Sequence, residues 1–122
     1  MYELTVKSSF AAAHRLREYG GKCERLHGHN WVVEATVEAE ELDRIGLAMD
    51  FKDLKEVLES ILAELDHDLL NEVEAFKEMN PSSENIAKWI YEELARKIEG
   101  DRVRPSQVRV WENPNCCAAY RP

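Results

Sequence analysis

Long apolar runs are missing from this sequence, and no stretch approaches the roughly 18 apolar residues that a membrane-spanning helix requires. No apolar segment follows a basic one near residue 1, so we expect no secretory signal peptide and a cytoplasmic protein. Cysteine is scarce: the chain has three, an odd number that does not suit a disulfide framework. These absences predict reduced thiols and no membrane partner.

Positive charge is also in short supply, because 16 basic residues face 24 acidic ones and the net charge is −8. This balance argues against a general nucleic-acid-binding surface, which would require a basic face. It does not exclude an anionic small substrate, since local charge can differ from the total. The 122 residues contain no repeats or linkers, and we expect residues 1–122 to form one domain.

The spacing of apolar residues predicts an α+β fold in the order ββααββ. Strands are expected over 2–16, 29–39, 107–112 and 117–120, and helices over 51–65 and 81–98. Asn80 and Pro81 suit the N-cap and first position of the second helix. The simplest packing is a four-stranded antiparallel sheet with both helices on one face.

Three of the four histidines are predicted to come together. His27 and His29 lie two residues apart at the start of a predicted strand, so their side chains share a face. Antiparallel pairing of the first two strands across residues 17–26 would bring His14 beside them. Three imidazoles suit zinc, and three protein ligands leave a fourth position open, as in catalytic sites. The simpler alternative is three unrelated histidines that are satisfied by hydrogen bonds.

Cys23 lies four residues before His27 and has two possible roles. It is a candidate catalytic thiol, because a nearby zinc ion and Arg25 would lower its pKa. Alternatively, it is a fourth zinc ligand that closes a structural site. Cys116 and Cys117 are expected to fill core or turn positions.

Asp66, His67 and Glu112 are the remaining candidates for chemistry. Asp66 and His67 could form a proton relay in which the carboxylate orients the imidazole. The alternatives are a histidine that favours the helix macrodipole, or a surface pair that contributes little. Glu112 ends an apolar strand, where it is either an exposed carboxylate or a bidentate acceptor for two N–H groups of a heterocycle.

Four basic residues surround the histidine segment: Arg15, Arg17, Lys22 and Arg25. They form either a solvated face or a binding site for a phosphate tail. Glu18 and Glu24 offset part of their charge, so the sequence leaves both possibilities open.

The chain resembles the 6-pyruvoyl-tetrahydropterin synthase family in six segments that occur in the family's order. They are residues 9–16, 23–31, 49–55, 65–71 and 81–87, and Glu112. Each segment alone is a weak signal, but the ordered set spans nearly the whole chain and is specific. The resemblance implies the tunnelling fold, in which the sheets of three subunits close into a barrel and two trimers stack into a homohexamer.

The resemblance also implies roles for individual residues. The implied zinc ligands are His14, His27 and His29; the implied proton-transfer set is Cys23, Asp66 and His67. By the same resemblance Glu112 anchors the pterin, and Ser83 and Glu84 lie near its ring. Cys23 is implied to reach the site of a neighbouring subunit, so that the sites lie between subunits.

Within the family, the spacing resembles one branch. Three residues separate Cys23 from His27, as in 6-carboxytetrahydropterin synthases of queuosine and 7-deazapurine biosynthesis, whereas biopterin-pathway enzymes usually have five. The implied activity is that of a zinc-dependent lyase that converts 7,8-dihydroneopterin triphosphate to 6-carboxy-5,6,7,8-tetrahydropterin, acetaldehyde and triphosphate. The alternatives are triphosphate elimination alone, giving 6-pyruvoyl-tetrahydropterin, and a non-catalytic zinc-stabilised binding protein. A metal-dependent phosphate-ester hydrolase is disfavoured, because the carboxylate ligands usual in two-metal sites are lacking.

Overall fold

The computed structural model describes residues 1–98 and 100–122, and for Cys23 it describes the backbone alone. The elements in chain order are β1 (Tyr2–His14), β2 (His27–Ala39), α1 (Phe51–Leu62), β3 (Asp68–Leu69), α2 (Ser83–Lys97), β4 (Arg104–Asn113) and β5 (Cys116–Tyr120). Short 3-10 turns lie at Lys22–Glu24, Leu70–Glu72 and Glu74–Phe76. The predicted α+β class, with two helices and one sheet, is confirmed.

The sheet has the strand order β3-β1-β2-β4-β5. β1 and β2 pair antiparallel without a register shift, from Tyr2 opposite Ala39 to His14 opposite His27. The four predicted strands are present, but the expected four-stranded sheet gains a fifth, β3, which pairs parallel with Ala12 and Ala13. Two residues are too few to show an alternating pattern, so the sequence did not predict this strand.

The core lies between one face of the sheet and the two helices. Trp31, Val33, Ala35 and Val37 alternate along β2 and are fully buried on this face. The helices contribute the buried side chains Leu54, Leu58, Ile61, Leu62, Ile86, Ala87, Ile90 and Leu94. Alternation turns Asn30 and Glu34, together with Val32 and Trp111, to the other face of the sheet, which neither described helix covers.

The N-cap residues of the two helices differ in how well the sequence predicted them. Asp50 caps α1, with its carboxylate accepting from the Lys52 N–H at 2.8 Å. The predicted cap of α2 was wrong: Ser82 is the N-cap, and its hydroxyl accepts from the Asn85 N–H at 3.2 Å. Asn80 does not cap because its amide is hydrogen-bonded to Arg17. Neither helix in the described residues combines the length and apolarity needed to cross a membrane.

Candidate functional site

Three histidines meet at one end of the sheet, on the face that carries the core. His14 is the last residue of β1 and lies opposite His27, the first residue of β2. His29 follows two residues later on the same face. Trp31 forms the floor, with its ring centroid 4.9 Å from that of His14 and 5.1 Å from that of His29. The juxtaposition that the sequence predicted is therefore the result of strand pairing and alternation.

The ring nitrogens of this cluster point toward one another and toward a carboxylate. The Nε2 atoms of His14 and His27 are 3.0 Å apart. Glu112 Oε1 lies 2.8 Å from His29 Nε2, 3.4 Å from His14 Nε2 and 4.0 Å from His27 Nε2. One ligand atom from each of the four residues falls within 4.8 Å of all the others. This is a donor set of the size that one metal ion can bind.

Backbone carbonyls determine which nitrogen of two rings carries the proton. His14 Nδ1 lies 2.7 Å from the Pro81 carbonyl oxygen, and His27 Nδ1 lies 2.7 Å from that of Arg25. A carbonyl oxygen only accepts, so Nδ1 is the donor in both rings. In the neutral rings each Nε2 then presents a lone pair toward the centre, which is the arrangement that outer hydrogen bonds commonly impose on metal-binding histidines.

The donor chemistry fits a divalent cation. Two lone pairs facing each other at 3.0 Å repel unless a proton or a cation lies between them. Burial, the main cause, lowers the pKa of His14 below its usual value and so favours the neutral ring. His29 Nε2 is buried and makes no hydrogen bond, although Glu112 Oε1 lies 2.8 Å from it. His14, His27 and His29 would hold such an ion through ring nitrogens, which suit zinc among other divalent metals.

The sequence did not predict that Glu112 would lie at the centre of the histidines. It continues the alternation of Val108 and Val110, which face the core. The β4–β5 register shifts between Trp111 and Asn113, so Glu112 lies in a bulge. The alternation, rather than the bulge, puts this carboxylate on the face that carries the histidine cluster. The sequence did contain a signal for this position, because residues 108, 110 and 112 are spaced by two and therefore share a face of the strand.

Asp66 and His67 form a pair that is anchored to β1. Asp66 Oδ2 is 2.9 Å from His67 Nδ1, and Asp66 Oδ1 accepts from the Ala11 N–H at 2.9 Å. The His67 N–H donates back to the Ala11 carbonyl, and His67 has a φ of 61°. The Ala11 hydrogen bond, followed by that from His67, holds the pKa of Asp66 below its usual value. The carboxylate is therefore ionised and fixed to the strand that ends at His14.

Two clefts each include one residue of the cluster in their lining. One, of about 540 Å³, is lined by His29 and His67 together with Ala11, Ala13 and Asn30, whose side chains alternate to the other face of the sheet. The other, of about 480 Å³, is lined by Ser83, Glu84, Glu112, Cys116, Cys117, Ala118 and Ala119. The three residues expected at the pterin thus share one cleft, and the expected catalytic histidine shares the other with a metal-site histidine. Cys116 and Cys117 are exposed in this cleft, so the core positions expected for them are ruled out.

Of the remaining candidates, the Cys23 side chain lies outside the described part and Arg17 has a structural role. The side chain of Cys23 is outside the described residues, so its predicted roles stay predictions. Arg17 does not face open solvent with a free guanidinium: its Nη atoms donate to the carbonyls of Asn71, Phe76 and Met79. This use disfavours Arg17 as a phosphate ligand.

The fold and the cluster together define an α+β protein with a candidate metal centre at one end of its sheet. A family model described as 6-pyruvoyl tetrahydropterin synthase matches residues 3–122. The chain therefore belongs to the 6-pyruvoyl tetrahydropterin synthase family, and it is an enzyme, a lyase.

Relatives of this chain are named for different activities within the family. A 6-carboxy-5,6,7,8-tetrahydropterin synthase from Bacillus subtilis is 34% identical over 128 residues, covering 99% of this chain and 86% of the relative. A dihydroneopterin monophosphate aldolase from Pyrococcus furiosus is 39% identical over 111 residues, covering 89% and 88%. The structure of Caenorhabditis elegans 6-pyruvoyl tetrahydropterin synthase is similar with a TM-score of 0.88 at 29% identity, covering 99% of this chain and 95% of that one.

Proposed function

We propose that the protein is a zinc-dependent 6-carboxy-5,6,7,8-tetrahydropterin synthase of queuosine or other 7-deazapurine biosynthesis. Its substrate would be 7,8-dihydroneopterin triphosphate, and its products the carboxypterin, acetaldehyde and triphosphate. The observation that carries the proposal is the convergence of three histidine Nε2 atoms and the Glu112 carboxylate within 4.8 Å of one another. The similarity to the Bacillus subtilis enzyme and the three residues between Cys23 and His27 support this branch.

The metal would be held by His14, His27 and His29. Two of these rings are oriented by carbonyl oxygens that accept from Nδ1–H, which leaves Nε2 of each neutral ring to bind the metal. When bound, zinc supplies a Lewis acid that polarises the side-chain oxygens of the substrate. Trp31 closes the site from below, so water would be excluded on the core side.

The other residues would position the substrate and move protons. Glu112 would accept two N–H groups of the pterin, with Ser83 and Glu84 beside the ring in the same cleft. Cys23, as thiolate, would remove a proton from the side chain, and His67 would return or relay one while Asp66 fixes its orientation. Triphosphate then leaves by elimination. Attack of one water on the resulting diketone breaks its carbon–carbon bond and gives a carboxylate and acetaldehyde.

A second candidate activity is favoured by the Pyrococcus furiosus relative, which at 39% identity is closer in sequence than the Bacillus subtilis enzyme. A dihydroneopterin monophosphate aldolase also breaks a side-chain carbon–carbon bond. An aldolase leaves the phosphate ester on the departing aldehyde, whereas the first candidate releases inorganic triphosphate. The two activities are therefore separable by their products.

The test is a product assay with both substrates. Zinc-loaded protein is incubated without oxygen with 7,8-dihydroneopterin triphosphate and, separately, with the monophosphate, and products are identified by mass spectrometry. His29→Ala, which removes a metal-site nitrogen, is the matched control. We expect 6-carboxy-tetrahydropterin and acetaldehyde from the triphosphate and no turnover by His29→Ala.

Each other outcome identifies an alternative. 6-Pyruvoyl-tetrahydropterin as the sole product would place the chain with the enzymes that only eliminate triphosphate. Turnover of the monophosphate to a phosphorylated aldehyde would establish the aldolase. No turnover of either compound by protein that holds zinc would favour the non-catalytic binding protein.

A further inference from the structure

Two asparagine side chains continue the hydrogen-bonding edge of β1 beyond His14. Asn71 accepts from the Arg15 N–H at 2.9 Å and donates to the Arg15 carbonyl at 3.0 Å. Asn80 does the same to Arg17, accepting at 2.8 Å and donating at 3.0 Å. Each amide thus imitates a neighbouring backbone peptide. β3 pairs with β1 only at Ala12 and Ala13. Beyond that point, these two side chains hold residues 15–17 in place of a neighbouring strand.

Asn80 immediately precedes Pro81 in the chain, and the carbonyl of Pro81 orients His14. The next residue, Pro81, accepts from His14 Nδ1 at 2.7 Å through its carbonyl oxygen, and both His14 and Pro81 are buried. The Asn80 carbonyl is itself held by the Asn85 side chain at 2.8 Å. Because Asn80 is fixed on both its side chain and its carbonyl, the position of the Pro81 carbonyl relative to β1 is fixed as well.

The guanidinium of Arg17 strengthens the same connection. It donates to the Phe76 carbonyl at 2.9 Å and to the Met79 carbonyl at 3.1 Å, which ties the segment before Pro81 to the end of β1. Proline cannot donate a hydrogen bond through its own nitrogen, so Pro81 contributes none to this alignment. The hydrogen bonds of Arg17 to Asn80, Phe76 and Met79 therefore tie the segment before Pro81 to the end of β1.

We propose that Asn80 is a positioning residue for the metal site: by clamping Arg17, it holds the Pro81 carbonyl on His14 Nδ1 and so presents His14 Nε2 to the metal. This inference rests on the metal site of the proposed function. Outer hydrogen-bonding partners of metal-binding histidines typically change metal affinity by 10- to 100-fold, and Asn80 acts one step further out through Pro81.

Two substitutions remove different parts of the clamp. Asn80→Ala removes both hydrogen bonds to Arg17. Asn80→Asp keeps an acceptor for the Arg17 N–H but replaces the donor to the Arg17 carbonyl by an oxygen that repels it, so it should also weaken the clamp. Tyr91→Phe is the matched control, because it also removes one side-chain hydrogen bond to a backbone carbonyl, that of Pro105, away from the histidine cluster.

The experiment has two readouts that do not depend on turnover. Zinc affinity is measured by competition with a chromophoric chelator, and the His14 tautomer is measured in metal-free protein by long-range ¹H–¹⁵N NMR at one alkaline pH. We expect a loss of zinc affinity of up to about tenfold in both Asn80→Ala and Asn80→Asp, since Asn80 acts through Pro81, and none in Tyr91→Phe. His14 should carry its proton on Nδ1 in the native protein and exchange between nitrogens in Asn80→Ala.

The outcomes separate this inference from the proposed function. If Asn80→Ala and Asn80→Asp both keep native zinc affinity and the native His14 tautomer, the positioning role is wrong. If Asn80→Ala does not fold, the same decision is made on Asn80→Asp. If the native protein itself does not bind zinc, the proposed metal site fails, while the tautomer comparison still decides whether Asn80 orients His14.

Discussion

At the scale of single residues, the site is organised by hydrogen bonds from ring nitrogens and carboxylates to the backbone. His14 and His27 each have one nitrogen committed to a carbonyl, and Asp66 has one oxygen committed to the Ala11 N–H. The other atom of each group then faces a neighbouring residue: the Nε2 atoms of His14 and His27 face each other, and Asp66 Oδ2 faces His67. The same residue types without these partners would adopt several tautomers and rotamers, and the cluster would be less well ordered.

Glu112 is the residue whose two possible roles are most easily separated. We expect Glu112→Gln to retain zinc and to lose roughly 10- to 100-fold in kcat/KM, because a charge-assisted pair with the pterin contributes about 1.5–3 kcal/mol. Zinc content and steady-state kinetics measure the two effects, with His29→Ala as the variant that should lose the metal. Loss of zinc from Glu112→Gln would instead make the carboxylate a metal ligand, as its 2.8 Å approach to His29 Nε2 also allows.

The lowered pKa of Asp66 predicts how the free energy of unfolding depends on pH. Its pKa is lower in the folded protein than the usual 3.8, so the unfolded chain binds the proton more tightly. The stabilisation by this carboxylate is complete above that value and is lost as the pH falls through the lower, folded-state pKa. Urea unfolding of the native protein and of Asp66→Asn should therefore differ most near neutral pH and converge in acid.

Asp68→Asn provides the comparison for this measurement. Asp68 is exposed, and within the described residues its side chain has no hydrogen bond or ion pair. Its substitution should leave the pH dependence unchanged. A difference between the native protein and Asp66→Asn that stayed constant in acid would show that the carboxylate is not the source of the effect.

At the scale of elements, α2 begins with two adjacent serines that have different expected roles, one in stability and one in substrate binding. Ser82 caps the helix, whereas Ser83 lines the cleft with Glu112. We expect Ser82→Ala to lower the free energy of unfolding by about 0.5–2 kcal/mol, because an orphan N–H loses its acceptor. Ser83→Ala should instead raise KM with little loss of stability. Thermal unfolding and kinetics on both variants make the comparison; an equal loss of stability in both would contradict it.

Elements built on repeating patterns were predictable from the sequence, and those built on single contacts were not. Alternation along residues 29–39 was enough to place Trp31 under the helices and His29 on the same face. β3 has no pattern because it consists of two residues. The clamps at Arg15 and Arg17 join residues 56 and 63 positions apart, through side-chain amides that leave no periodic signal. The misassigned cap of α2 has this cause, since Asn80 is a good cap by type but is used elsewhere.

At the scale of the whole molecule, the sheet leaves two features that a single chain does not resolve. Neither described helix covers its second face, and β5, with exposed Cys116 and Cys117, is an edge strand of the described sheet whose outer backbone groups pair with no other strand of it. Exposed edges of this kind favour pairing with another chain. The family resemblance implies that barrel closure in a homohexamer performs this role, with Cys23 of one subunit serving the site of another.

Mixing inactive variants tests this shared site. We expect Cys23→Ala to lose turnover and keep zinc, and His29→Ala to lose zinc, so that each assembly is inactive alone. If Cys23 acts in a neighbouring subunit, refolding the two variants together creates some interfaces with an intact thiol and an intact histidine set, and activity returns. Sedimentation should show six times the 14.1 kDa protomer mass for all samples. A hexamer without recovered activity would place Cys23 and the histidines of one site on the same chain, and loss of zinc from Cys23→Ala would make the thiol a ligand.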